Sequence, residues 1–334
     1  MLNLERYLEA SRKVMRDFLL ELGKQRGFAL FKDTLFLSFL GARICYASTS
    51  PLALFTEERF KDPQKFLSFL RRLKRSGHTS IFAHSPLVVS GSVYKDKSNA
   101  LARLGFKLWW SPEGDYVCLN LRHVAEVVDE EEFSQILESS LEASKSWRSF
   151  PVYVLGFDDQ GHPELRLQTI LGDIVDHPPE VDSYMFSSMR VTVIDVAPAQ
   201  TQPFGWLAVI VEGFSRLFSH QFVRHTWLNF NQRSHRYTSV DQFVLPPSFV
   251  SGEIQAYYTE IIRQAMQAYS TLVEQGIKKE DARFLTPQGA STALIATGPY
   301  FVWQDFVHKR AQPKAQWEIR RLAQAVAQVL EKCL

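Results

Sequence analysis

The nine residues WLAVIVEGF, Trp206 to Phe214, constrain the fold more than any other stretch of the chain. They form an apolar run of strand length that follows the proline-containing APAQTQP and leads at once into RLFSHQFVRHTW. Such a run reads as a buried strand, and the segment after it reads as a helix that buries Leu217, Phe218 and Phe222. A strand feeding directly into a helix points to a mixed fold. With 334 residues, 46% of them hydrophobic and 22% charged, the chain can fill one large core or two modest ones, and disorder is excluded as its main state.

Other elements follow from periodicity. Residues 1–26 read as an amphipathic helix on Leu4, Leu8, Met15, Leu19 and Leu22. Residues 63–75 give a second helix, closed by Ser76-Gly77, and the stretch from His78 to Tyr94 reads as a turn followed by a strand. Between about 91 and 204 the texture changes to a Lys-Asp-Lys turn, a strand-like YVCLNLRHV, the acidic helix DEEEFSQILESSLEAS and the proline-rich HPPEVD, which reads as an inserted subdomain. Helices are expected over Glu253–Gln275, stopped by Gly276, and over Tyr300–Arg310 and Lys314–Leu330, with Pro313 tolerated in the first turn of the last. In that last helix Ile319, Leu322, Val326 and Leu330 line one face, and no internal repeat is seen.

Charge narrows the function. Thirty-eight Lys and Arg against 36 Asp and Glu leave +2, too little for a protein held to nucleic acid by bulk charge, so any anion must be met by a few placed arginines. Three cysteines without C-x-x-C spacing indicate neither a disulfide framework nor a thiolate metal site, which fits a reducing cytoplasm. Glu5 and Glu9 stand where a secretory signal needs a basic and then an apolar stretch, and the apolar segment from Phe28 to Ala42 is interrupted by Lys32 and Asp33. A soluble, cytoplasmic protein without metal is expected.

The densest polar cluster in apolar surroundings runs from Ser219 through His225 and continues with Asn229, Asn231, Gln232, Arg233, Ser234, His235, Arg236 and Tyr237. Helical spacing brings Gln221, Arg224 and His225 together, and the loop after Trp227 offers amides, a hydroxyl and guanidinium forks suited to a base edge and a phosphate. A solvated loop with capping side chains is the plain alternative.

Arg224-His225-Thr226, seven residues, Ser234 and then Arg236-Tyr237 resemble the Arg-His-Arg, seven residues, Ser signature of the flavin-dependent thymidylate synthases, the ThyX family. Further pieces agree in order. GARICYAS (Gly41 to Ser48) resembles the family's early strand, GHTSIFAH (Gly77 to His84) its Gly-His-x-Ser-x-x-x-His element, and EGFSRLFSHQFVRH the approach to the signature. EDAR (Glu280 to Arg283) and AQWEIRRLA (Ala315 to Ala323) resemble two C-terminal blocks.

The resemblance implies an α+β fold with a ThyX-like core, a mainly antiparallel sheet flanked by helices, and an inserted subdomain. The division is 1–40 as a helical extension, 41–90 and 205–334 as the core, and 91–204 as an insertion that projects from it. Reductive methylation of dUMP at carbon 5 to dTMP is the implied reaction, with FAD as cofactor and methylenetetrahydrofolate and NADPH as co-substrates, in a homotetramer whose active sites lie between subunits. By motif position Arg310 is the catalytic arginine that stabilises negative charge on the pyrimidine, and Gln221, Arg224, Gln232, Ser234, Arg236, Arg283 and Arg310 bind dUMP. His78, Ser80, Arg224, His225, Thr226, Gln232 and Asp305 bind FAD. No enzyme thiolate is needed, in keeping with the sparse cysteines.

Departures from the pattern concern the flavin. Thr226 stands at the signature's second arginine, Ala83 replaces an acidic residue, and Thr297, Pro299 and Phe301 occupy a Thr-x-Asn-x-Arg run, with Asp305 at a position usually Asn or His. The Asn120-Leu121-Arg122 of the insertion resembles the missing piece, which raises the hypothesis that it approaches the flavin or the nucleotide. The alternative functions are a related pyrimidine-nucleotide C5-methylase, or a flavin-less paralogue that only binds nucleotide or RNA.

Overall fold

The computed structural model describes residues 4–24, 30–90, 99–103, 105–111, 113–138, 143–170, 185–196 and 205–333. The Lys-Asp-Lys, HPPEVD and APAQTQP stretches lie outside the described residues. The fold is α+β, built on two antiparallel sheets.

The helices used below are α1 (Leu4–Lys24), α2 (Leu30–Tyr46), α3 (Pro63–Arg75), α4 (Leu121–Val127), α5 (Glu130–Glu138), α6 (Arg216–Phe222), α7 (Gly252–Glu274), α8 (Lys279–Ala282), α9 (Tyr300–Arg310) and α10 (Trp317–Cys333). The strands are β1 (Pro86–Ser90), β2 (Trp109–Trp110), β3 (Tyr116–Asn120), β4 (Pro151–Phe157), β5 (Pro163–Ile170), β6 (Arg190–Asp195), β7 (Trp206–Ser215), β8 (Asn229–Gln232) and β9 (Ser291–Pro299).

The larger sheet has the order β5-β4-β6-β7-β9-β8, with every neighbouring pair antiparallel. β7 is buried at nearly every position, and so is β9, so both faces of the sheet centre are covered. α2 packs against β8 and β9, and α10 against β5 and β6. Gly213 sits at a bulge where the β7–β9 register shifts. Its φ is +76°, and a Cβ there would come within 2.0 Å of the Ser188 carbonyl, so only glycine fits.

The smaller sheet, β1-β3-β2, pairs Pro86 with Asn120 and Ser90 with Tyr116. Residues 91–204 thus supply strands to both sheets rather than projecting from the core as expected. The reason is hydrophobic: Val117, Cys118 and Leu119 of β3 and Val191, Val193 and Ile194 of β6 are fully buried or nearly so and need a sheet to lie in.

α3 follows its sequence signals. Asp62 caps it by accepting from the amides of Gln64 and Lys65, Pro63 occupies the first turn, and Gly77 beyond its end has φ +77°. On its basic face Arg71 pairs with Glu138 and Arg75 with Glu130 of α5, and Arg75 stays 73% exposed. Beneath it Phe39, Phe55, Phe60 and Phe66 interlock at centroid distances of 5.0–6.0 Å. Each such ring contributes about 1.5–3 kcal/mol by burial.

Four expectations are corrected. Gly41–Tyr46 is the end of α2 and not a strand, because it continues a segment whose residues from Leu35 to Leu40 are buried on all sides of the helix. The helix after β7 ends at Phe222, and its Leu217 is exposed while Phe218 and Phe222 are buried. Pro313 lies ahead of α10, which begins at Trp317. YVCLNLRHV is a strand only to Asn120, after which α4 begins.

Candidate active site

The site is assembled where α6 leaves β7. Ser215 caps α6 by accepting from the Phe218 amide, and is itself held by Glu318 of α10, which accepts from the Ser215 amide at 2.8 Å and its hydroxyl at 2.7 Å. Glu318 is only 2% exposed, and burial raises its pKa while these hydrogen bonds oppose the rise. Beyond α6 the chain turns tightly, with the Thr226 amide donating to the Arg224 carbonyl and the Leu228 amide to that of His225. Gln221 is half-buried on α6, whereas Arg224 and Thr226 are exposed on the turn.

At this turn two distant motifs meet. Arg310, the last residue of α9, donates through Nε to His225 Nε2 at 2.9 Å. His225 also lies edge-on to Phe306 at 4.9 Å. A guanidinium has no lone pair to offer, so the imidazole accepts and is neutral at Nε2. Burial, then the charges of Arg310 and Lys309, push its pKa down to about 4. Asp305, on the same helix as Arg310, is paired with Lys309 at 2.6 Å.

The polar loop after the turn is tied to the early element by buried hydrogen bonds. His84 bonds Asn231 Oδ1 through Nε2 at 2.8 Å and Thr297 Oγ1 through Nδ1 at 2.9 Å. Asn231 in turn donates to Cys45 Sγ, which fixes its amide orientation and makes Nε2 the protonated nitrogen of His84. Burial pushes His84 down to about 4, so it stays neutral. His84 is fully buried, and both its ring partners are side chains. A Cβ at Gly41 would come within 2.5 Å of this ring, the reason α2 carries glycine there. Asn229 donates to the Ala83 carbonyl, the Ser234 amide to that of Cys45, and Arg233 to those of Ala47 and Thr49. Gln232 donates to Thr292 on β9.

A second group forms beside Ser234. The Arg236 amide donates to Ser234 Oγ, and the Arg236 guanidinium pairs with Glu280 of α8 at 2.7 Å. Arg283 donates through Nε to the Glu280 carbonyl. Tyr46 connects this group to the early element, lying 5.0 Å from the Tyr237 ring and bonding His78 Nε2 at 3.2 Å. Ser80 is exposed two residues further on.

The predicted residues therefore fall into two clusters within one chain: His225, Arg310 and Asp305 at the turn, and His78, Ser234, Arg236 and Arg283 around Glu280. Arg216 was missed from the sequence. Its guanidinium is desolvated by burial beside the charge of Arg283, and His235 is pushed down to about 4 by burial and then by Arg216. Its place immediately after the Ser215 cap was the available signal. The Asn120 side-chain oxygen is buried without a partner, and Arg122 pairs with Glu126 while its charge also acts on Lys107. A separate polar cleft of about 350 Å³ lies between the β4–β5 turn and α10, lined by Gly161, His162, Trp317, Arg320 and Arg321 among others. Among the described residues no group of three or more His, Cys, Asp or Glu could hold a metal ion, and no helix is long and apolar enough to cross a membrane.

Residues 206–334 match the family described as thymidylate synthase complementing protein, Thy1. Among curated proteins, the chain is similar to the flavin-dependent thymidylate synthase of Thermococcus onnurineus, with 35% identity over 124 residues, 35% of this chain and 51% of that one. It is 40% identical to that of Geobacter sulfurreducens over 121 residues, 34% of this chain and 51% of the relative. With that of Pyrococcus furiosus it shares 32% over 129 residues, 36% of this chain and 53% of the relative. The chain thus spans about half the length of the curated relatives it matches. The family expected from the motifs is the one that matches, over the C-terminal part of the chain.

Proposed function

We propose, from the match of residues 206–334 to the thymidylate synthase complementing family, that this chain is a flavin-dependent thymidylate synthase, a methyltransferase that converts dUMP to dTMP. The observation that carries the reading is the hydrogen bond from Arg310 to His225, which joins the end of α9 to the signature turn across 85 residues of sequence.

In this reading Arg310 is the catalytic residue. A guanidinium keeps its proton, so beside the pyrimidine it stabilises negative charge on the ring as carbon 5 becomes nucleophilic. Arg236 and Arg283 bind the phosphate of dUMP, with Ser234, Gln221, Arg224 and Gln232 completing the nucleotide contacts. The exposed pair of Arg236 with Glu280 is weak, so a phosphate dianion displaces the carboxylate readily.

The residues at the turn suit a flavin dinucleotide. Arg224 offers a cation to a pyrophosphate, Asp305 is already paired with Lys309, and neutral His225 presents an apolar edge. His78, Ser80, Thr226, Gln232 and Asp305 complete the FAD set. When bound, FAD supplies the hydride, taken from NADPH, that reduces the one-carbon unit given by methylenetetrahydrofolate. The chain's own part is to hold the nucleotide and to keep the turn rigid through His84 and Asn231.

Self-association belongs to the same proposal. On α7 only Ile262 and Tyr269 are buried, whereas Ile254, Tyr257 and Ile261 are exposed along one face, and Phe284 nearby is 87% exposed. Such a face supports a homotetramer with sites between copies. The boundaries 1–40, 41–90 with 205–334, and 91–204, the last built into both sheets rather than set apart, and a cytoplasmic setting, are proposed with it. The test is the purified full chain: a yellow protein that converts dUMP to dTMP with NADPH and methylenetetrahydrofolate, and that restores growth of thymidine-requiring cells. A colourless protein that binds dUMP without making dTMP would favour the flavin-less alternative.

A further inference from the structure

Thr226 leaves the signature turn one positive charge short, and a lysine from residues 91–204 enters that turn. Lys107 Nζ donates to the Thr226 carbonyl at 2.7 Å, to the Leu228 carbonyl at 3.1 Å and to Asn229 Oδ1 at 3.4 Å. The three acceptors lie on Thr226, Leu228 and Asn229, within the four residues that follow His225. All three acceptors are neutral.

The lysine is held from behind. His123 of α4 bonds the Lys107 backbone at 3.0 Å, its ring packs edge-on against Phe106, and the ammonium lies 5.0 Å over the Trp109 ring. Trp109 is locked in turn against Trp206, the first residue of β7, at 5.4 Å. Among the described residues no carboxylate pairs with Lys107, and burial, then the neighbouring charge of Arg122, lower its pKa to about 8. A partly desolvated cation without a counter-charge of its own is stabilised by an external anion.

We propose that Lys107 is the cation of the signature turn: residues 91–204 supply to the Thr226 and Leu228 carbonyls the positive charge that the family pattern carries at position 226 itself. The lysine fixes the turn and presents its charge to the pyrophosphate of the dinucleotide cofactor. This inference rests on the FAD reading above. It makes Lys107 a positioning residue contributed by a segment outside the matched part of the chain.

The test is FAD titration of the full chain by flavin fluorescence, with folding followed by circular dichroism. Lys107→Met is expected to weaken FAD binding about tenfold or more, as loss of a charge-assisted contact does. Lys107→Arg is expected to keep most of the affinity. Lys107→Gln retains a hydrogen-bond donor without the charge, is expected to lose affinity as Met does, and carries the test if the Met variant does not fold. The decisive variant adds Thr226→Arg to Lys107→Gln and is expected to recover binding, which a purely structural clamp would not allow. Unchanged affinity in Lys107→Gln, or no recovery in the double variant, overturns the inference while leaving the FAD reading standing. A wild-type chain that takes up no FAD overturns both.

Discussion

Four imidazoles, those of His84, His123, His225 and His235, are each pushed down to about 4, with burial the largest cause in every case. In the unfolded chain they take up protons near pH 6.5, whereas the folded chain holds them neutral until about pH 4. Their contribution to stability is therefore complete above pH 6.5 and is lost as pH falls towards 4. For the fully buried His84 alone the loss is on the order of 3 kcal/mol. Urea midpoints measured between pH 7 and pH 4 are expected to fall with pH, and His84→Gln is expected to start lower but fall less steeply. Arg310 is a residue of another kind. Removing it leaves the His225 acceptor at a half-buried site that water can reach, so Arg310→Ala is expected to cost about 1 kcal/mol of stability and to abolish dTMP formation. A wild-type turnover rate in that variant would contradict the catalytic assignment.

Among elements, α6 depends most on a partner remote in sequence. Glu318 spans 103 residues to bond both the amide and the hydroxyl of Ser215, so α10 sets where α6 begins and hence where Gln221 and Arg224 stand. Glu318→Ala leaves a buried amide without an acceptor and is expected to cost about 2–4 kcal/mol. Glu318→Gln keeps the acceptor for Ser215 N but sets its NH2 against that of Gln316, which donates to Glu318 Oε2 at 3.1 Å, and is expected to cost less than Glu318→Ala; denaturant midpoints of the two variants check the order. This dependence also shows what one sequence can reveal. Boundaries set by local chemistry, such as the Asp62 cap, Pro63 and Gly77 of α3, are legible, and Tyr300–Arg310 is matched residue for residue. Elements decided by distant packing are not: Gly41–Tyr46, which the family resemblance implies to be a strand, is helical because α2 is surrounded, and Leu217 has core-like spacing yet faces outward. The candidate site divides in the same way. Motif residues such as His225 and Arg310 can be named from their positions, whereas Arg216 is marked only by following the Ser215 cap and Lys107 enters through contacts that no spacing encodes.

For the whole molecule, the two clusters raise the question of how one nucleotide meets both. Arg236 and Arg283 converge on Glu280, while Arg310 is engaged by His225 at the far end of the polar loop. α7 connects the loop to α8, and its outward face continues into exposed Phe284 and Leu285, next to Arg283. A second copy covering that face would bury the apolar stripe, and closed symmetry would set the same patch of both copies against each other. Tyr257 is 72% exposed, and lies on α7 apart from the predicted site residues. Tyr257→Glu is expected to leave the fold intact, since the side chain packs on nothing in its own chain core, yet to place a charge in the proposed interface and cost several kcal/mol of association. Light scattering on the eluted protein is expected to give a smaller species than the wild type, with dUMP conversion reduced at least tenfold and restored at high protein concentration. An unchanged mass with full activity would mean that the α7 face is not where the copies meet, and that each chain closes its site alone.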